Sequence, residues 1–242
     1  MKSAAEPKPA ISARSWDPMD HVDYRLAETP EEKEEIYRLR YRAYLREGAV
    51  KASAEQRVVD QFEDAPNAWT FGVYLHGELY SSIRISVLTS EWRLSPSVEL
   101  FGEILHPLLD KGMVFIDSTR FVADPDKARH FPELPYVTVR LGSTAGVYFN
   151  ADYGLAIIRP EHQAFYRRVF LHETWAEPRL YPGLVKPVGL LATHLPTVRE
   201  KVLGRYPFLR SSAFERRMLF ERGNRRAAAA PRPVLVADSA QG

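Results

Sequence analysis

The sequence predicts an α/β (α+β) fold in which one mixed, twisted sheet is flanked by helices. Two observations predict it: strand-like and helix-like segments alternate along the chain, and the turn His76-Gly77-Glu78 joins two strands into a hairpin. The 242 residues are enough for one substantial core, and no internal repeat divides them. We therefore predict one domain over residues 21–222, after a flexible N-terminal segment (1–20) and before a disordered Ala/Pro-rich tail (223–242).

The first part of the domain is predicted to contain a strand and a long helix. His21–Ala27 alternates apolar and polar residues, as a half-buried strand does. Thr29 then precedes Pro30 and several glutamates, which is typical of a capped helix start, and Gly48 marks the end of that helix. The weak periodicity of Val50–Pro66 indicates a helix fragment and a loop.

A hairpin and a short helix lead to the stretch on which the functional interpretation depends. The hairpin strands are Trp69–Leu75 and Leu79–Val87, and the helix is Glu99–Leu109. Val114–Asp124 follows as a strand with apolar ends and a polar middle, Asp117–Arg120. Such a break in the pattern is typical of functional sites, and the alternative is an ordinary solvated ion pair at a strand end.

Helices and strands continue to alternate in the second half. Pro132 opens a helix with apolar residues at spacings of three and four, and Asp152–Ile158 is a strand. Pro160 starts another helix, Leu184–Leu191 is a further strand, and His194–Arg205 is the last predicted helix. This alternation is that of a single mixed sheet covered by helices.

Composition excludes several classes of site. Without any cysteine, the chain has no disulfide, no thiolate metal site and no cysteine nucleophile. It contains no Walker loop, no Rossmann glycine fingerprint and no H-E-x-x-H, and its seven histidines lack metal-ligand spacing, so no metal is predicted. The N-terminus lacks a signal peptide's apolar core and no run is as long as a membrane span, so we expect a cytoplasmic protein with no transmembrane segment.

Charge is distributed unevenly along the chain. Residues 1–158 carry 18 Lys/Arg against 24 Asp/Glu, whereas residues 159–226 carry 14 against 6. The second region can form a basic face for an acidic partner, or it can be a solvated surface without one. It contains no recognised nucleic-acid-binding module, so no nucleic acid is expected as a partner.

Six charged residues beside predicted strands form the candidate site. They are Arg40, Asp60, Glu63, Arg84, Asp117 and Arg120. Each alone is an ordinary surface charge. Together they predict a buried network, since arginine is the cation suited to desolvated, bidentate pairing with carboxylates.

Five stretches of the chain, taken in order, resemble a known group of enzymes. They are Y-R-L-R-Y-R-A-Y-L-R-E-G (Tyr37–Gly48), V-D-Q-F-E-D-A-P (Val59–Pro66), S-I-R (Ser82–Arg84), D-S-T-R-F-V (Asp117–Val122) and R-P-E-H-Q-A-F-Y-R-R (Arg159–Arg168). Over about residues 22–210 the chain resembles the acyl-homoserine-lactone (autoinducer) synthases and, more closely, the N-acyl amino acid synthases. The resemblance implies the GNAT-like acyl-N-acyltransferase fold and transfer of an acyl group from a thioester to an amine.

The resemblance also implies roles for particular residues. A base must take the proton of the attacking amine, and Asp117 is the first candidate and Glu63 the second. Backbone N–H groups around Phe121 and Val122, where the central strand separates from its neighbour, are expected to bind the oxyanion. Tyr166 is expected to protonate the leaving thiolate, with simple core packing as its alternative. The supporting network is then Arg40, Asp60, Arg84, Thr119 and Arg120.

Departures from the autoinducer synthases favour the branch that acylates amino acids. Those enzymes carry Phe and Trp where this chain has Tyr44 and Val50, and an aspartate and a glutamate where it has Glu63 and Asp117. The missing tryptophan counts against lactone chemistry. The expected product is therefore an N-acyl amino acid, and a homoserine lactone is the alternative.

The acyl donor is predicted from the segment after the central strand. CoA-dependent members of the fold have a glycine-rich loop there, whose N–H groups bind the pyrophosphate. This chain reads A-D-P-D-K-A-R-H-F-P instead. We therefore expect no permanently bound cofactor and an acyl-phosphopantetheine thioester presented by acyl carrier protein, with acyl-CoA as the alternative. The acidic carrier protein is predicted to dock on Arg159, Arg167, Arg168, Arg199, Lys201 and Arg205.

Overall fold

The structure is a computed structural model that describes Met19 and residues 21–221. Its strands are β1 (Val22–Leu26), β2 (Ala68–Leu75), β3 (Glu78–Leu88), β4 (Phe115–Ala123), β5 (Tyr153–Ile158), β6 (Glu173–Arg179) and β7 (Val188–His194). Within the described residues these form one seven-stranded sheet in the order β1-β2-β3-β4-β5-β7-β6. Neighbouring strands are antiparallel except β4 and β5, which are parallel, so the predicted mixed sheet is confirmed. The two predicted flexible ends, 1–20 apart from Met19 and 223–242, lie outside the described residues.

Helices cover both faces of the sheet. They are α1 (Pro30–Arg46), α2 (Pro96–Asp110), α3 (Leu134–Tyr148), α4 (Gln163–Phe170), α5 (Leu195–Arg205) and α6 (Ala213–Phe220). On one face α1 packs on β2 to β4 and α2 packs on β3 to β5. On the other face α3 and α6 cover β2 to β4, while α4 and α5 cover β5 and β7. No helix in the described part of the chain is long and apolar enough to cross a membrane.

Local sequence fixes both ends of α1. Thr29 Oγ1 accepts the N–H of Glu32 at 3.2 Å, and Glu32 Oε2 accepts the N–H of Thr29 at 3.0 Å. This reciprocal cap satisfies two backbone donors that the helix leaves open, and such a cap contributes about 1 kcal/mol. Gly48 follows the helix with φ of +62°, a conformation that favours glycine. The predicted capped helix is confirmed.

The secondary-structure predictions are wrong in three places. Val50–Pro66 contains turns and no helix: residues 51–57 are exposed, and the later part is held by the contacts of Asp60 and Glu63 with buried Arg84. The strand predicted at Leu184–Leu191 begins only at Val188. Strand β6 and helix α6 were not predicted; β6 reads E-T-W-A-E-P-R, an edge strand with Pro178 and mostly exposed residues, so it lacks an apolar run.

Replacing Gly72 with alanine is expected to destabilise the fold. A Cβ at Gly72 in β2 would lie 2.6 Å from Cε2 of Tyr74, a buried ring whose hydroxyl donates to Glu35. Overpacking of this kind costs about 1–3 kcal/mol. Thermal unfolding checks it, with Gly204→Ala in α5 as the control. A Cβ at Gly204 meets no described atom within 4 Å, so this variant should gain up to about 1 kcal/mol. Equal melting temperatures for the two variants would contradict the expectation.

Candidate active site

A cluster of three arginines and two carboxylates lies between α1 and the sheet. Asp60 accepts a bidentate pair of hydrogen bonds from Arg84, at 2.6 and 3.0 Å, and two more from Arg120, at 2.8 and 2.6 Å. Glu63 accepts from Arg84 at 3.0 Å and from Arg40. Five of the six charged residues singled out in the sequence therefore meet in one place.

The cluster is almost completely removed from solvent. The side chains of Arg40 and Arg84 are 0% exposed, and threonines complete the contacts: Arg84 Nε donates to Thr119 Oγ1 at 3.3 Å. Three guanidinium groups face two carboxylates, so the cluster carries an excess positive charge. Such an excess favours negative charge on a group bound nearby.

Burial and ion pairing set the pKa values in the cluster. Burial alone disfavours ionisation of Asp60, but the guanidinium groups of Arg84 and Arg120 outweigh it and hold the pKa of Asp60 well below its usual range. Burial lowers the pKa of Arg40, although the negative charge of Glu63 acts to raise it. Because its pKa is so low, Asp60 is a poor proton acceptor at neutral pH and serves to fix its partners.

Strand β4 contains a bulge at Arg120. Ser82 pairs with Val122 and Arg84 with Thr119, so β4 holds one residue more than β3 between these pairs. Arg120 has φ of +54°, in the left-handed region that non-glycine residues seldom adopt. The bulge leaves Arg120 and Phe121 without register partners on β3, and pairing resumes at Val122, within the stretch where the sequence predicts an oxyanion site.

Strands β4 and β5 pair over three residues and then separate. The ladder joins Phe115, Ile116 and Asp117 of β4 to β5, and no later residue of the described strands is paired across this gap. A cavity of about 670 Å³, the cleft cavity, lies where they part. Ser118 to Ala123 of β4 and Ile157 and Ile158 of β5 line it. Phe121 and Val122, the predicted oxyanion residues, are therefore at the cavity wall.

Tyr166 also lines the cleft cavity. It lies on α4, it is buried, and burial raises the pKa of its hydroxyl above the ordinary value. The group is thus a neutral O–H at neutral pH. Tyr166 also belongs to a core cluster with Val169 and Leu191, so its ring has the packing role that was the alternative, and its role as proton donor stays a prediction.

Asp117 and Glu63 are buried and do not line the cleft cavity. Asp117 is 0% exposed, and its Oδ1 accepts a hydrogen bond from Ser97 Oγ at 2.8 Å, while Oδ2 has no partner among the described residues. Burial raises the pKa of Asp117. It does not join the arginine cluster by hydrogen bonds, and Glu63 is fully engaged within that cluster. Their predicted role as base stays a prediction.

The six predicted docking residues fall into two groups. Arg159 is 11% exposed, lines the cleft cavity and pairs with Glu47, so its charge is already engaged. The others lie at the surface on α4 and α5, which pack against each other through Val169 and Val202. These are Arg167, Arg168, Arg199, Lys201 and Arg205.

The structure adds two aromatic residues that sequence reasoning did not assign to the site. The rings of Tyr44 and Tyr181 lie 6.0 and 5.8 Å from the Arg120 guanidinium, and both line the cleft cavity. Tyr44 is on α1 within a quoted motif, so its spacing from Arg40 could have found it. Tyr181 is in an irregular loop with no such signal. Within the described residues no group of His, Asp or Glu side chains is arranged to hold a metal ion.

Comparison with known proteins identifies the family. The family model of the N-acyl amino acid synthase FeeM matches residues 35–194. The chain belongs to this family. It is an N-acyltransferase of the GNAT-like class, and the recognition made from its motifs is confirmed. A search of curated proteins gave no match.

Several solved structures share the fold. FeeM, an N-acyl amino acid synthase from uncultured soil microbes, is 19% identical, with a TM-score of 0.64 over 76% of this chain and 98% of that one. The acyl-homoserine lactone synthase LasI is 15% identical, with a TM-score of 0.51 over 71% and 89%. BjaI, a CoA-dependent acyl-homoserine lactone synthase solved with SAM and isopentyl-CoA, is 14% identical, with a TM-score of 0.50 over 76% and 88%. At these identities the likeness shows the fold.

Replacing Arg84 with alanine is expected to cost about 3–5 kcal/mol of unfolding free energy, because it leaves Asp60 and Glu63 buried with fewer partners. Urea denaturation measures this. The control is Arg38→Ala on α1, which removes an exposed pair with Glu34 at 2.8 Å and should cost no more than about 0.5 kcal/mol. An Arg84→Ala variant as stable as the Arg38→Ala variant would contradict a buried network.

Replacing Asp117 with asparagine is expected to flatten the pH dependence of stability. Because burial raises the pKa of Asp117, the native state holds this proton more tightly than the unfolded chain does. That contribution is complete below the unfolded pKa of about 3.9 and is lost as pH rises through the folded value. The variant should therefore be at least as stable as the wild type at pH 7. Denaturation at pH 4 to 8 checks this, and a variant that loses more stability at pH 7 than at pH 4 would refute it.

Proposed function

We propose that the protein transfers a fatty acyl group from acyl carrier protein to the amine of an amino acid, giving an N-acyl amino acid. The observation that carries the proposal is the cleft cavity at the separation of β4 from β5, with strand backbone and Tyr166 on its walls. A thioester in this cavity has backbone N–H groups and a hydroxyl within the same lining. The FeeM family supports an amino acid as acceptor.

The β4 backbone is proposed to bind the oxyanion. As the amine attacks the thioester carbon, the carbonyl oxygen becomes negatively charged and needs fixed donors. Phe121 and Val122 follow the bulge at Arg120 and line the cavity, and their N–H groups are the proposed donors. The arginine cluster, with its excess positive charge, lies nearby and also favours the negative charge of the oxyanion. Losing one such donor typically costs about 10²–10³ in kcat.

Tyr166 is proposed to protonate the leaving group. When the tetrahedral intermediate collapses, the C–S bond breaks and the thiolate must take a proton. Tyr166 lines the cleft cavity and its hydroxyl is protonated at neutral pH, so it is the proposed source of that proton. Solvent then restores the hydroxyl. The amine's own proton goes to a base, for which Asp117 and Glu63 are the residues predicted from sequence, and each would act through water because neither lines the cleft cavity.

The segment after β4 supports a carrier-protein donor. Asp124 Oδ1 accepts the N–H groups of Asp126 and Lys127, at 3.1 and 3.2 Å. Backbone donors that could bind a pyrophosphate are thus already used by a carboxylate, which also repels phosphate. A phosphopantetheine arm without the nucleotide avoids this obstacle, and the surface arginines of α4 suit an acidic carrier. Such a donor also fits a cytoplasmic enzyme.

Two alternatives remain open to experiment. Acyl-CoA is a donor for BjaI, which has a similar fold. Lactone formation is the activity of LasI and BjaI by their names. Incubation of the protein with acyl carrier protein or acyl-CoA, and with each amino acid or S-adenosylmethionine, separates them by mass spectrometry of the product.

Reversing the charge of Arg167 and Arg168 to glutamate is expected to raise the KM for acyl carrier protein. The effect should weaken as salt rises, because exposed charges are screened beyond about 10 Å at 0.1 M. A short acyl-pantetheine thioester carries no acidic surface, so its KM should barely change. The matched control reverses Arg38 and Lys111, which are exposed and lie outside α4 and α5. Equal losses of activity with acyl carrier protein and with the pantetheine thioester would mean that the substitutions damage α4. Efficient use of acyl-CoA by the wild type would contradict the proposal that acyl carrier protein is the donor.

A further inference from the structure

A second cavity meets the cleft cavity at Arg120, Tyr181 and Leu184. This loop cavity has a volume of about 630 Å³ and is formed mainly by the loops that follow α1 and β6. The three shared residues line both spaces, so the loop cavity and the cleft cavity adjoin at these side chains. The arrangement provides separate places for two reactants that must meet.

The loop cavity contains one cation and one anion without an ion-pair partner. Arg57, Asp60 and Arg120 line it, and each is already in an ion pair. Lys51 and Glu99 also line it, and neither has an oppositely charged group within 4.0 Å among residues 21–221. One free positive and one free negative group complement a zwitterion.

Glu99 is held in place by two neighbours. Its Oε2 accepts a hydrogen bond from the Tyr181 hydroxyl at 2.8 Å, and its Oε1 accepts one from the Gln61 amide at 3.4 Å. Tyr181 lines both cavities, so its hydrogen bond connects the carboxylate of Glu99 to the place where the loop cavity and the cleft cavity meet. Neither Asp117 nor Glu63 borders the loop cavity or the cleft cavity.

The walls of the loop cavity are otherwise largely apolar. Val59 and Val185 are 45% and 47% exposed, a high value for valine, and both line this space together with Leu184 and Pro182. Exposed apolar side chains facing one space favour an apolar group there.

We propose that the loop cavity binds the acceptor as an α-amino acid zwitterion with an apolar side chain, and that Glu99 takes the proton of its ammonium group. The inference rests on the proposed function. Lys51 faces the carboxylate and Glu99 the ammonium. An N–H bond of the ammonium breaks and its proton goes to the Glu99 carboxylate. The freed lone pair attacks the thioester carbon in the cleft cavity and the C–N bond forms. The nitrogen then loses its second proton to solvent. The C–S bond breaks as the thiolate takes a proton from Tyr166, and solvent restores the Tyr166 hydroxyl.

The role of Glu99 is tested by Glu99→Gln, which keeps an oxygen for the Tyr181 hydrogen bond. We expect kcat to fall by about 10²–10⁴-fold and the acid limb of the pH profile of kcat/KM to disappear. The loss should shrink with an aminooxy acid as acceptor, because its amine is unprotonated at neutral pH. The control is Glu103→Gln, one turn further along α2, whose side chain pairs with Arg179 at 2.6 Å outside the cavity.

The role of Lys51 is tested by Lys51→Gln. We expect the KM for amino acids to rise by about 10- to 100-fold with little change in kcat, the effect of losing a charged hydrogen bond. The KM for the matching amine without a carboxylate, 3-methylbutylamine in place of leucine, should not change. Lys111→Gln, at an exposed lysine just after α2, is the control.

The outcomes separate the inference from the function on which it rests. If the wild type forms no N-acyl amino acid from any amino acid and either thioester, the proposed function is wrong. If the wild type does so while Glu99→Gln and Lys51→Gln behave as their controls, only the inference is wrong. Loss of the acid limb in Asp117→Asn, with that limb retained in Glu99→Gln, would likewise overturn the assignment of Glu99.

Discussion

The carboxylate of Asp60 is the interaction on which the site depends. Its two oxygens hold Arg84 from β3 and Arg120 from β4, while Asp60 itself belongs to the loop after α1. Burying guanidinium groups costs several kcal/mol each unless they are paired, so this carboxylate cannot leave without exposing two charges to an apolar environment. The loop is therefore fixed against the sheet even though it has no regular secondary structure of its own.

That pairing also explains how β4 maintains an unfavourable backbone conformation. A non-glycine residue in the left-handed region costs about 1–3 kcal/mol and persists only when its surroundings enforce it. Nε and Nη2 of Arg120 both donate hydrogen bonds to Asp60, and the rings of Tyr44 and Tyr181 flank the guanidinium group. The charged cluster and the strand distortion are thus one structural unit, and the N–H groups of β4 at the cavity wall depend on it.

The sequence predicted features that are local or carried by a motif, and missed those assembled by tertiary contacts. The hairpin, the capped α1 and the Arg–Asp–Glu cluster follow from turn chemistry, capping and charge beside strands. The place of Asp117 could not be predicted, because Ser97 of α2 holds its carboxylate away from the arginines. Glu99 and Tyr181 are 82 residues apart, and nothing in either stretch indicates that they share a hydrogen bond.

The short ladder between β4 and β5 has a consequence for the acyl chains that the proposed function places in the cleft cavity. Beyond Asp117 the two strands share no described backbone hydrogen bond, so widening the gap between them breaks none. Each strand remains anchored on its other side, β4 to β3 and β5 to β7. Accommodating a bulkier acyl chain then requires only changes of side-chain rotamer. A side chain that is forced into a strained rotamer costs about 0.5–1.5 kcal/mol. Under the proposed function, chain length would therefore be selected by side chains that line the cavity, such as Ile157 and Phe165, and not by the pairing of the sheet.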